Sequence, residues 1–182
     1  MKSLATVMLV LAAMIALDGQ SAADAKLQGQ LKKLFPSATN FSPKEGSPPH
    51  FSAYAKDAKS GAQTLLGYAF WTTELEPLER GYDGPIKILV GMDPKGVLTG
   101  IVVAEHREPY GYFSVDLPEF SARFVGKDIR DPFKLNVDID AISRATMSMT
   151  SSVRAISRSA RRVARQLLTP PEPKPGSTSE PK

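Results

Sequence analysis

The 182-residue chain contains no cysteine, two histidines and one tryptophan. Without a thiol there is no disulfide framework, no thiolate-held iron–sulfur cluster, no lipid-modified cysteine and no thiol nucleophile. His50 and His106 are too few for a histidine-rich metal centre, so no metal ligand set is expected. A Gly-x-Ser-x-Gly elbow is missing as well, which counts against a serine hydrolase, and no catalytic residue is assigned. The longest apolar run, Leu4–Leu17, has fourteen residues, short of the ~20 a spanning helix needs.

That run has another use. Lys2 precedes it, and Ala23-Asp24-Ala25 supplies small residues where a signal peptidase reads. Met1–Ala25 therefore reads as a secretory signal, with Ser21-Ala22-Ala23 as a second cleavage option. The mature protein is expected in the periplasm. At 42% hydrophobic and 23% charged residues, the remainder is sized for one domain, 26–168. A tail over 169–182 carries prolines 170, 171, 173, 175 and 181 and reads as disordered.

Charge is unevenly placed. The net +4 hides a balanced body, with 14 basic and 15 acidic residues over 26–140, and a segment, 141–168, with six arginines and no acid. Arg154, Arg158, Arg161, Arg162 and Arg165 fall within about 100° of arc on a helix over 149–168. Val153, Ile156, Ala160, Val163, Ala164 and Leu167 take the other side. Such a stripe is most often a solvated face. Contact with anionic lipid headgroups, or with an acidic redox partner, are the other readings. Nucleic acid is not expected, because no aromatic side chains share that face.

Helical spacing of Leu27, Leu31, Leu34 and Phe35 predicts a helix over 26–35, closed by Pro36. Residues 37–49 read as loop. Strands are expected at 51–56 and 63–73, the second holding Trp71 as a core residue. Two more, 86–92 and 97–106, are joined by Asp93-Pro94-Lys95-Gly96, a tight-turn sequence. Their nearly continuous apolar character implies a sheet covered on both faces. A short helix is expected around 117–125. The fold class is α+β: a small antiparallel sheet with packed helices and a long amphipathic C-terminal helix.

Ser143–Ser152 places six hydroxyl residues ahead of that last helix. One hydroxyl suffices for an N-cap. The alternative is an anion site built from helix-start amides, the helix dipole and Arg144. His106 and Glu108 close a strand, where side chains either sit at a core edge or line a site.

Asp140-Ala141-Ile142-Ser143-Arg144-Ala145-Thr146 resembles the Asp-x-x-Ser-Gly-Ala-Thr signature of the FMN-binding domain family, which includes RnfG, NqrC and the N-terminal domain of NosR. Further stretches resemble the NosR branch: Leu34–Ala38, Gly81–Ile86, Gly91–Gly100, Glu105–Pro109 and Ser159–Ala164. The resemblance implies a flavin carried by Thr146 through a phosphoester. A separate transferase would install it from FAD, with AMP leaving. It implies an electron carrier rather than a turnover enzyme, working between a membrane redox system and a periplasmic acceptor. Asp140, Ser143, Arg144, Ala145, Thr146, Met147 and Ser148 would surround the cofactor, with His106 and Glu108 near it. The ring would rest on Met147, Met149 and the aromatics of Tyr110–Phe113. Arg144 stands where the family carries Gly. It either obstructs attachment, leaving an accessory or maturation module without covalent flavin, or adds a charged contact to the phosphate.

Overall fold

The computed structural model describes residues 23–140 and 146–168, apart from the Phe113 side chain. Residues 1–22 of the expected leader, the signature residues Ser143, Arg144 and Ala145, and the tail 169–182 lie outside the described residues. Helix α1 covers residues 23–34, starting three residues before the predicted 26. Leu31 and Leu34 are buried on one side. Pro36 cannot donate its backbone nitrogen, and the helix stops ahead of it.

Five strands follow: β1 (Asn40–Phe41), β2 (Phe51–Lys56), β3 (Gln63–Trp71), β4 (Lys87–Met92) and β5 (Leu98–Glu105). They form one antiparallel sheet in sequential order. β1 lies in the stretch read as loop. Two residues are too few to show alternation, and it forms because the Thr39 and Ser42 N–H groups reach the Tyr54 and Ser52 carbonyls at 2.7 and 2.9 Å. β3 ends at Trp71 rather than continuing to Thr73. The next residues make a single helical turn, α2 (Thr72–Leu75). The buried Thr72 hydroxyl accepts the Ile88 N–H at 3.1 Å and donates to the Ile86 carbonyl at 3.3 Å, tying that turn to β4. The β4–β5 connection is the expected tight turn. Asp93 Oδ1 accepts the Lys95 and Val97 N–H groups, each at 2.8 Å, and Gly96 takes φ +87°.

Both faces of the sheet are covered, as the apolar runs imply. On one, Leu31, Leu34 and Phe35 pack with Ala53, Ala69, Trp71 and Leu89. Trp71 is core, as expected, with the Lys87 ammonium 4.9 Å from its ring centroid. On the other face lie α3 (Pro118–Ala122) and α4 (Thr146–Leu167). There Phe120, Phe124, Met149, Val153, Ile156 and Val163 meet Phe70, Ile88, Val90 and Met92. Ile88 and Val90 go one way and Leu89 the other, the period of two that a strand imposes. A 3₁₀ turn at Gly111–Phe113 precedes α3.

The α1 face depends on three glycines on successive strands. A Cβ at Gly67 would come within 2.9 Å of the Phe35 ring, and one at Gly91 within 3.0 Å of Leu34 Cβ. At Gly100 it would lie 3.5 Å from Leu34 Cδ2. The end of the helix thus rests directly on backbone. Sequence periodicity carries no signal for this groove.

α4 begins at Thr146, three residues before the predicted 149. Five of the six hydroxyl residues of that segment, Thr146, Ser148, Thr150, Ser151 and Ser152, are therefore inside it. Ser148, Ser151 and Ser152 are buried. On its outer face, Glu79 binds Arg154 at 3.1 Å and Arg158 at 2.5 Å, and Glu76 binds Arg162 at 3.0 Å. Arg161 turns inward and donates to the Ile129 and Asp131 carbonyls at 2.9 and 2.7 Å. Acids distant in sequence thus offset much of the stripe, which counting charges along the helix alone misses. No helix among the described residues is long and apolar enough to cross a membrane.

The chain reaches α4 through a loop in which Phe133 and Asn136 adopt φ of +53° and +60°. Asp138 organises it, accepting the Lys134 N–H at 2.6 Å, the Phe133 N–H at 3.1 Å and the Lys127 ammonium at 2.9 Å. Burial pushes the Asp138 carboxyl up, but these donors outweigh it and hold it below the ordinary carboxylate range. A lowered folded value contributes stability above the unfolded pKa of ~3.9, and that stability is lost as pH falls through the folded value. Urea midpoints measured from pH 7 downward are therefore expected to drop below about pH 4. In Asp138→Asn this part of the slope is expected to vanish.

Candidate functional site

Where β5 ends, the chain turns across the sheet edge through His106-Arg107-Glu108-Pro109. His106 Nδ1 accepts the Glu108 N–H at 3.1 Å, which leaves Nε2 as the protonated nitrogen, 2.7 Å from Asp116 Oδ1. The ring is closely seated. A Cβ on Gly111 would come within 2.2 Å of His106 Cε1. His106 thus fixes the backbone from which Glu108 projects.

Glu108 is 7% exposed, unusual for a glutamate. Its Oε2 accepts the Tyr82 N–H at 3.1 Å and the Ser148 hydroxyl, while Oε1 accepts the Asp83 N–H at 3.1 Å. Gly81 makes the slot possible, since a Cβ there would lie 2.3 Å from Oε1. One carboxylate therefore joins three pieces of chain: the 81–84 turn, the exit of β5 and the first turn of α4.

These pieces enclose a cavity of about 280 Å³ lined by Tyr82, Glu108, Pro109, Tyr110, Ser114, Thr146, Met147 and Ser148. Its volume is at the small end for ligand pockets. It takes one end of a nucleotide-sized group and leaves the rest against the rim. That rim is apolar and unusually bare: Tyr82 is 68%, Tyr110 60% and Met147 61% exposed. Thr146, also exposed, is the first residue of α4, where backbone N–H groups lack helical acceptors and favour an anion. The site thus combines an exposed hydroxyl, a helix start suited to an anion and a bare aromatic rim.

Not every expected residue sits here. Met149, expected beneath the ring, is fully buried in the core, because α4 starts early and turns it toward the sheet. Met147, two residues earlier, points outward instead. Ser148 lines the cavity and is engaged by Glu108. His106 stands behind Glu108 and is not among the lining residues. Asp140 is exposed at the edge of the undescribed stretch that holds Ser143, Arg144 and Ala145. Tyr82 and Ser114 join the wall from segments distant in sequence, and no local pattern marks them. A larger groove, about 430 Å³ between α1, β5 and α3, shares no lining residue with this cavity. No cluster of three potential metal ligands occurs among the described residues.

Comparison with known proteins places this geometry. Residues 81–161, from the Glu108 slot through most of α4, match the FMN-binding domain. The chain is 29% identical over 171 residues to the regulatory protein NosR of Pseudomonas aeruginosa, covering 85% of this chain and 23% of that protein. NosR of Stutzerimonas stutzeri is 26% identical over 147 residues, covering 75% and 19% respectively. A component of the ion-translocating oxidoreductase complex of Haemophilus influenzae strain PittEE is 48% identical over 47 residues, covering 26% and 21%. The chain thus spans about a fifth of the length of the curated relatives it matches.

Proposed function

With residues 81–161 matching the FMN-binding domain, we propose that this chain is an exported electron carrier whose FMN is esterified through its phosphate to Thr146. The observation that carries the reading is the position of Thr146, an exposed hydroxyl at the mouth of α4 on the wall of the cavity. A flavin transferase would supply the nucleotide. The Thr146 oxygen would attack the FAD pyrophosphate, AMP would depart, and the hydroxyl proton would be lost to solvent.

The bound flavin supplies reversible electron uptake; the chain supplies placement. Amides of the first turn of α4 lie where the ester phosphate would be held. Tyr82, Tyr110, Met147 and Pro109 give the ring apolar and aromatic surface to lie against. Glu108 and Ser148 hold the α4 start against the 81–84 turn, so the anchor and the rim keep a fixed spacing. The Haemophilus relative belongs by name to an ion-translocating oxidoreductase complex. By analogy, the electron source here is a membrane redox system and the acceptor is periplasmic. Arginine contacts with anionic lipid are the weaker part of the reading, because Glu76 and Glu79 already hold three of those side chains.

The test is intact-mass spectrometry and absorbance of protein exported from cells that express a flavin transferase. A mass increased by FMN minus water, with oxidised-flavin absorbance retained after denaturation, is the expected result. A colourless chain of plain mature mass overturns it. If Arg144→Gly then restores loading, the accessory-module reading replaces it.

A further inference from the structure

We propose that Glu108 is the group that sets the electron affinity of the flavin, acting as a buried, immobile negative charge on the cavity wall. This rests on the FMN reading above. Three donors converge on its two oxygens, the pattern of an ionised acid, which only accepts. All three donors, two backbone N–H groups and a serine hydroxyl, are uncharged. Among the described residues no lysine or arginine forms an ion pair with it, in contrast to Glu76 and Glu79. Among the described residues its charge is therefore oriented and stabilised by dipoles, with no counter-ion paired to it.

Position adds to this. Glu108 is one of the lining residues, next to Pro109 and Tyr110 on one side and Thr146–Ser148 on the other. Adding an electron places negative charge on the ring, and a fixed carboxylate in a poorly solvated wall opposes that charge more strongly than one in water would. Glu108 thereby makes the bound flavin a stronger reductant. Burial of an acid costs stability, and the fold retains it where the electron-accepting group would rest.

The experiment compares wild type, Glu108→Gln and Glu119→Gln, each loaded by co-expression with the transferase. Intact mass measures attachment, and dye-equilibrated spectrophotometry measures the reduced-to-oxidised ratio at one fixed solution potential. At Glu108, glutamine keeps the shape and an acceptor oxygen but removes the charge. The expected result is full loading and a ratio about tenfold higher than wild type. Glu119→Gln removes an exposed carboxylate of α3 that does not line the cavity, and it is expected within about twofold of wild type. A loaded Glu108→Gln protein whose ratio equals that of wild type overturns the role of Glu108 and leaves the FMN reading intact. So does a Glu108→Gln protein that folds yet takes no flavin, since Glu108 would then be needed for attachment. Wild type without added mass overturns the FMN reading itself.

Discussion

Thr146→Ala is expected to abolish flavin attachment outright while leaving the fold as stable as before. The Thr146 side chain is exposed, so its loss uncovers no core. Alanine is the better helix former, and the unfolding free energy should change by no more than about 0.5 kcal/mol. The loading change, by contrast, is all or none, because a methyl group cannot form an ester. Thr146→Ser keeps the oxygen and is expected to retain attachment. Intact mass and in-gel flavin fluorescence read all three proteins together. A Thr146→Ala chain that stays yellow after denaturation would place the bond elsewhere, with Ser143 the nearest other hydroxyl in the signature.

Gly67→Ala is expected to cost the fold about 3 kcal/mol. The added methyl would lie 2.2 Å from the Met92 carbonyl oxygen, and 2.9 Å from Phe35. The first contact is with backbone in the neighbouring strand and has no rotamer to escape into. Gly67 also has φ +152°, which a side chain resists. Relief requires opening the β3–β4 pairing or lifting α1, and both expose core. Denaturant unfolding followed by tryptophan fluorescence measures this directly, since Trp71 lies in the same cluster as Phe35. Gly29→Ala serves as the control, since it lies in α1 with open space around it and no positive φ.

The legible parts of this molecule are those whose signal is local. Turn residues and β-branched flanks mark the β4–β5 hairpin, and an apolar stripe opposite arginines marks α4. Sheet coverage on both faces follows from unbroken apolar runs. What local sequence does not show depends on partners brought together by folding. Glu108 reads as a strand-end residue at a core edge or a site, but its burial depends on the 81–84 turn and Ser148, 26 and 40 residues away in sequence. The burial of Met149 follows from a helix start three residues earlier than its apolar stripe suggests. Pairing of the arginines depends on Glu76 and Glu79, placed by the short turn after β3. Of the signature itself, Thr146 and Asp140 are structurally described, and the motif is recognisable by resemblance before any geometry.

The sequential strand order carries a consequence for how the molecule is made. Every strand pairs with its neighbour in the chain, so the meander can assemble from the amino end as synthesis proceeds. One side of that meander, however, is finished only by the last long helix, which brings Met149, Val153, Ile156 and Val163 onto Phe70, Ile88, Val90 and Met92. A nascent chain halted ahead of residue 146 would own all its ladder bonds and still show water a sticky, unroofed wall. Thr146 sits on that roof, so on the proposed reading flavin addition would wait for closure.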